Sequence, residues 1–189
     1  MPRAVIFDLD GTLTLGGLDF DMIRAQIGLY DEPILEALEG MDPGRRAAAE
    51  TVLYDHERTA AETALPRDGA AETIVDLRRR GFAVGILTRN ARQWARITLD
   101  RLGIEVDALR CREDGAIKPD PAGLLDLCAR FNAAPAASWM VGDYLFDIES
   151  GRRAGLRTVL VVDDEPPYYA NRADFVIRSL PAILELVAS

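Results

Sequence analysis

Ala4-Val5-Ile6-Phe7-Asp8-Leu9-Asp10-Gly11-Thr12-Leu13 is the stretch that decides the fold. Four consecutive apolar residues predict a short buried strand, and Asp8, Asp10 and Gly11 end it. Open parallel α/β sheets hold their ligands outside the carboxyl ends of their strands, so both carboxylates stand at a functional edge.

Outward from this strand the texture changes between Thr14 and about Ala70. Segments near 20–27, 31–39 and 43–65 are rich in Ala or Glu without strand-like runs, which predicts helices separated near Asp31 and Pro43. The longest has a weak apolar face, with Val52, Leu53 and several alanines among many charges. Residues 14–70 therefore read as a helical insertion well placed to overhang that edge, and residues 1–13 with 71–189 as one core.

Beyond the insertion, αβ units repeat. A helix with Ile74 and Leu77 inward runs over 71–80 and stops at Gly81; a strand follows at 83–87. A helix at 91–102 lines Trp94, Ile97 and Leu102 along one side, and 106–109 is a weak strand candidate. Asp120 and Pro121 open a helix with Leu124, Leu125, Cys128 and Phe131 inward. Strands at 139–141, 158–162 and 175–177, a helix closing near Gly155 and a final helix with Ile183, Leu184 and Val187 complete the pattern. The expected architecture is a three-layer αβα sandwich with a mostly parallel sheet.

Composition narrows the function classes. A chain of 189 residues, 49% apolar and 28% charged, can bury one sizeable core, which excludes a disordered segment. No apolar run approaches a membrane span, and the N-terminus lacks the basic and long apolar regions of a signal peptide; a cytoplasmic protein is expected. With a net charge of -9 and dispersed arginines, an extended nucleic-acid groove is excluded. Arg78–Arg80 is the densest basic run and reads as a solvated helix end. Cys111 and Cys128 read as structural thiols, and the sole histidine, His56, rules out a histidine-rich metal site. Monomer and homodimer stay equally open.

Three strand ends carry polar groups directly after apolar runs: Asp8 and Asp10, then Thr88-Arg89-Asn90, then Asp143 with Asp147. Lys118 stands in Ile117-Lys118-Pro119-Asp120. Singly, each has a plain structural reading as a turn, a helix cap or a solvent-facing lysine. Jointly, on one edge of a parallel sheet, they make an acidic cluster with a lysine, a site suited to Mg2+ and a phosphoryl group.

This ordered set resembles the haloacid-dehalogenase-like hydrolases, and within them the phosphoglycolate-phosphatase-like branch. Asp8-Leu9-Asp10-Gly11-Thr12-Leu13 resembles the first family motif, Thr88-Arg89-Asn90 the second, Lys118-Pro119 the third, and Gly142-Asp143-Tyr144-Leu145-Phe146-Asp147 the fourth. The resemblance implies a Rossmann-like core and a helical cap at residues 14 to about 70. It also implies hydrolysis of a small phosphorylated metabolite, with Asp8 as nucleophile and Asp10 as general acid/base. Thr88, Arg89, Asn90 and Lys118 would surround the phosphoryl group, and Lys118 would also steady the nucleophile. Asp8, Asp143 and the main chain at Asp10 would hold Mg2+, with Asp147 orienting the metal shell or Lys118. Arg89 departs from the small or uncharged residue of many relatives. Cap residues Arg24, Arg45, Arg46, His56 and Arg58 are candidates for recognising the organic portion, though each also reads as a surface residue.

Other functions fit the same residues. A sugar phosphomutase would use Asp8 and Asp10 but return the phosphoryl group, so it yields an isomer rather than free phosphate. A non-catalytic phosphate-responsive domain would bind without turnover. A dehalogenase fits less well, because Asp10 is a proton-handling group suited to phosphotransfer.

Overall fold

The computed structural model describes residues 3–188. The chain begins with β1 (Arg3–Phe7), turns, and enters β2 (Thr14–Leu15). Helices α1 (Phe20–Ile27), α2 (Ile34–Glu39) and α3 (Pro43–Thr63) follow, and β3 (Leu65–Pro66) pairs antiparallel with β2 to close the helical cap. Alternation then takes over: α4 (Ala70–Arg79), β4 (Phe82–Leu87), α5 (Arg92–Leu102), β5 (Ala108–Arg110), α6 (Ala122–Arg130) and β6 (Trp139–Gly142). The chain ends with α7 (Leu145–Ala154), β7 (Arg157–Val161), β8 (Phe175–Ile177) and α8 (Ile183–Leu186).

Six strands form one parallel sheet in the order β5-β4-β1-β6-β7-β8. The first strand lies inside the sheet because both of its faces are apolar. Val5 and Phe7 pack on one side with Ile74, Leu77, Ala95 and Ile183, while Ile6 packs on the other with Leu124, Leu127 and Met140. This is the Rossmann-like αβα sandwich expected from the sequence. Successive connections run outward from β1 in opposite directions, so a crevice opens at its carboxyl end.

Some predicted details shift. The weak strand expected at 106–109 pairs at 108–110 instead. Ile97 and Leu125 face solvent, at 39% and 42% exposure. The inward face of α5 is Trp94, Ala95, Thr98 and Leu99, and that of α6 includes Leu124, Leu127 and Cys128. Ala95 and Leu99 enter the main core cluster while Trp94 meets Ala61 of α3, and these contacts together set the helix rotation.

The cap has an apolar cluster of its own, Ile23, Ile27, Ile34, Leu38, Ala49 and Leu53. Full burial contributes about 1.5–3 kcal/mol per large aliphatic side chain, enough for this cluster to hold α1–α3 against one another. Asp42 caps α3 by accepting from the N–H groups of Gly44 and Arg45, with Pro43 at the first helical position. The buried stripe of α3 runs Ala49, Leu53, Glu57, Ala61 at four-residue spacing. Its far end meets Ala91 and Trp94, and Tyr54 stacks edge-on to Trp94 at 4.9 Å. So α3 is a strut from the cap to α5. Among the described residues no helix is long and apolar enough to cross a membrane.

Candidate active site

The carboxyl ends of the strands gather the polar residues. Asp8 directly follows β1, and its N–H donates to the Val141 carbonyl on β6 at 2.8 Å, carrying strand pairing through the residue. The chain then reverses, with Leu13 and Thr14 N–H groups both donating to the Leu9 carbonyl and Gly11 at φ +80°. A Cβ on Gly11 would lie 2.9 Å from Cγ of Asp143, so glycine answers both the backbone conformation and the close approach. At Gly142 a Cβ would overlap the Asp147 carboxylate.

Lys118 is the centre of the cluster. Its Nζ donates to Oδ1 of Asp8 and to Oδ1 of Asp147, each at 2.6 Å, and the residue is 3% exposed. Burial alone would lower a lysine pKa, but the Asp147 and Asp8 carboxylates outweigh it and hold the ammonium charged. The other oxygen of Asp147 accepts from the Tyr144 N–H at 3.0 Å in the first turn of α7.

Carboxylate oxygens of Asp8, Asp143 and Asp147 lie within 4.8 Å of one another. One oxygen of Asp147 accepts from Lys118 and the other from Tyr144, and with Asp8 and Asp143 this residue makes a cluster able to coordinate a metal ion. Thr12 Oγ1 fixes Asp143 by donating to Oδ1 at 2.8 Å. Burial pushes all three carboxyls up to about 6. Lys118 opposes the shift at Asp8, whereas Asp143 and Asp10 add to it; Asp147 adds to the shift at Asp143. With Asp10, four carboxylates face one ammonium, so the ionised cluster lacks positive charge. Crowded anionic oxygens with no nitrogen or sulfur donor suit a hard divalent cation.

Asp10 is half-buried, and its Oδ2 accepts from Asn90 Nδ2 at 3.0 Å. Burial raises its pKa, Asn90 lowers it, and the nearby Glu57 raises it again. Thr88 is buried; its N–H donates to the Arg110 carbonyl and its Oγ1 accepts from the Asn90 N–H, both at 3.0 Å. The Asn90 Oδ1 atom is buried without a partner.

Arg89 reaches the cap. Its guanidinium donates to both oxygens of Glu36, at 2.9 and 2.6 Å, and to the Lys118 carbonyl, and it stacks 4.7 Å above the Phe146 ring. A second cap-to-core pair joins Arg112 to both oxygens of Glu57, whose residue is 2% exposed. The cations suggested within the cap have local partners: Arg24 with Asp21, Arg45 with the Gly28 carbonyl, Arg46 with Glu50, His56 with Gln26 and Arg58 with Asp55. Sequence reasoning missed Glu36, Glu57, Arg67 and Arg112, whose partners are distant in sequence. Glu57 alone left a trace, as a charge on the apolar stripe of α3.

Residues 19–155, well over half of the chain, match the family model described as a haloacid dehalogenase-like hydrolase. The chain belongs to that family. A haloacid dehalogenase-like hydrolase domain-containing protein of Arabidopsis thaliana is 31% identical over an alignment covering 98% of this chain and 83% of its own. An N-acetylmuramic acid 6-phosphate phosphatase of Pseudomonas putida is 32% identical, covering 84% and 82%. The crystal structure of a hydrolase from Pseudomonas syringae shares the fold with a TM-score of 0.82 at 18% identity, covering 98% and 97%. Together, the haloacid dehalogenase-like fold and the Asp8, Asp143 and Asp147 cluster support phosphatase-type enzymatic activity and are consistent with aspartyl-phosphate chemistry.

Proposed function

We propose that this haloacid dehalogenase-like hydrolase is a Mg2+-dependent phosphomonoesterase that releases inorganic phosphate from a small phosphorylated metabolite through an aspartyl phosphate on Asp8. The observation that carries this reading is the Asp8 carboxylate, held by Lys118 at 2.6 Å and grouped with Asp143 within 4.8 Å. Asp8, Asp143 and the main-chain carbonyl of Asp10 would hold the ion. When bound, Mg2+ would supply positive charge that offsets the approach of an anionic nucleophile to an anionic phosphate.

In the first step Asp8 forms a bond to phosphorus as the ester P–O bond breaks, and Asp10 gives its proton to the leaving alkoxide. Burial favours the protonated form of Asp10, as a general acid requires. In the second step Asp10 takes a proton from a water that attacks phosphorus, which frees phosphate and restores the Asp8 carboxylate. Lys118 and Thr88 donate to the transferring phosphoryl oxygens, while Asp147 orients Lys118 and Asn90 orients Asp10. Residues 14–70 act as the cap that covers the reacting groups and limits water.

The phosphatase name of the P. putida relative points the same way. A panel of phosphorylated metabolites, assayed with Mg2+ for free phosphate and for acid-stable phosphoenzyme, tests the proposal. Asp8→Asn should lose both signals. Normal turnover in that variant rejects the nucleophile, and an isomeric sugar phosphate without free phosphate assigns mutase chemistry instead.

A further inference from the structure

Arg67 lies just beyond β3, on the stretch returning from the cap, and is only 7% exposed. Its N–H donates to the Leu13 carbonyl at 2.9 Å, tying the return strand to the turn after β1. The guanidinium meets the same turn: Nε donates to the Thr12 carbonyl at 2.9 Å and Nη2 to the Gly11 carbonyl at 2.5 Å. Its outer edge grips both oxygens of Asp163, in the loop after β7, with Nη2 3.1 Å from Oδ2.

The two carbonyls belong to the residues that shape the acidic cluster. Gly11 is the positive-φ residue packed against the Asp143 carboxylate, and Thr12 donates its hydroxyl to Asp143 at 2.8 Å. Adjacent carbonyls directed at one point repel unless a donor stands between them, and a planar fork can serve both at once. Lysine, a single point of charge on a flexible stem, cannot reproduce that geometry.

We infer that Arg67 is a positioning residue for the cation-binding half of the site: it fixes the Gly11–Thr12 turn, and through the Thr12 hydroxyl it sets the direction of Asp143. Asp163 holds the guanidinium in place from outside. The inference rests on the phosphatase reading above, since it concerns how the proposed Mg2+ ligands are aimed.

The test compares wild type, Arg67→Lys, Asp163→Ala and Asp8→Asn. Mg2+ binding is measured by calorimetry without substrate, alongside Mg2+-dependent phosphate release and melting temperature. In Arg67→Lys the half-saturating Mg2+ concentration should rise about tenfold in both assays, as expected when an outer partner of a metal ligand is lost. The substrate KM at saturating Mg2+ should stay near wild type, a split that general loosening of the fold would not produce. Asp163→Ala should shift the Mg2+ midpoint in the same direction by less. A folded Arg67→Lys protein with unchanged Mg2+ binding overturns the inference; if that variant does not fold, an unchanged midpoint in Asp163→Ala overturns it. Turnover that persists in Asp8→Asn defeats the phosphatase reading instead, and the calorimetric comparison still decides the role of Arg67.

Discussion

Replacing Lys118 by methionine keeps most of the buried stem and removes the charge that lies 2.6 Å from both Asp8 and Asp147. Breaking a buried ion pair from one side costs about 3–5 kcal/mol. Protonation gives an independent bound. Asp8 and Asp147 already sit at about 6 with the lysine present, so holding both protonated at pH 7.5 costs a further ~1.5 pH units each at roughly 1.4 kcal/mol per unit, or about 4 kcal/mol for the two. Both routes place the loss near 3–5 kcal/mol in metal-free protein, a large part of the roughly 5–15 kcal/mol that stabilises an ordinary domain. The sign with pH follows from the carboxyls. Burial already pushes Asp8 and Asp147 up to about 6, and losing Lys118 raises them further. The folded variant then binds more protons than the unfolded chain, so it gains stability as pH falls. At pH 5, below both values, wild type is already largely protonated at these carboxyls and the protonation route costs almost nothing. Urea denaturation of both proteins in EDTA at the two pH values measures the difference. A penalty below about 1 kcal/mol at pH 7.5, or one that does not shrink at pH 5, refutes the argument that Lys118 compensates buried carboxylates.

In Asp143→Asn, metal-free protein should be more stable than wild type at pH 7.5. Burial raises the native Asp143 pKa to about 6, so the stability linked to it is full below the unfolded value of about 4 and is lost as pH rises through 6. Melting curves in EDTA should converge toward pH 4, and the variant should lose the Mg2+-induced rise in melting temperature. Arg112→Met strands the buried Glu57 and should cost about 3 kcal/mol, whereas adding Glu57→Leu should recover part of it; a double-mutant cycle by urea denaturation measures the coupling. Asn90→Ala removes the donor that lowers the Asp10 pKa, so the limb of the pH–rate profile that reports Asp10 should move upward.

Much of the fold was legible because the strands are apolar runs that stop at polar residues. The run ending at Phe7 became β1, and Asp8, Thr88 and Asp143 each follow a strand of one parallel sheet. The breaks expected near Asp31 and Pro43 separate α1, α2 and α3, because a proline opens or precedes each later helix. Less was legible where the signal is short or depends on packing. Two-residue strands such as β2 and β3 have no periodicity to read. The side of α5 facing inward was set by packing against both the core and α3, so Ile97 turned outward.

The charges outside the strand ends were least legible, and the reason is physical. Arg67, Arg89 and Arg112 look like any surface arginine in sequence, yet each has a carboxylate partner 96, 53 or 55 residues away. No local period connects such pairs; only the assembled sheet and cap bring them together. The polarity they create also runs opposite to the simplest expectation, that a cap over a phosphate site contributes cations. Here the cap sends Glu36 and Glu57 toward the core, and the core answers with Arg89 and Arg112. Unpaired, Glu57 would add more negative charge beside Asp10, whose pKa it already raises, and oppose an incoming phosphate. Pairing with Arg112 screens that repulsion while both arginines fasten the cap to the core, so Arg112 bears on the electrostatics of Asp10 without touching it.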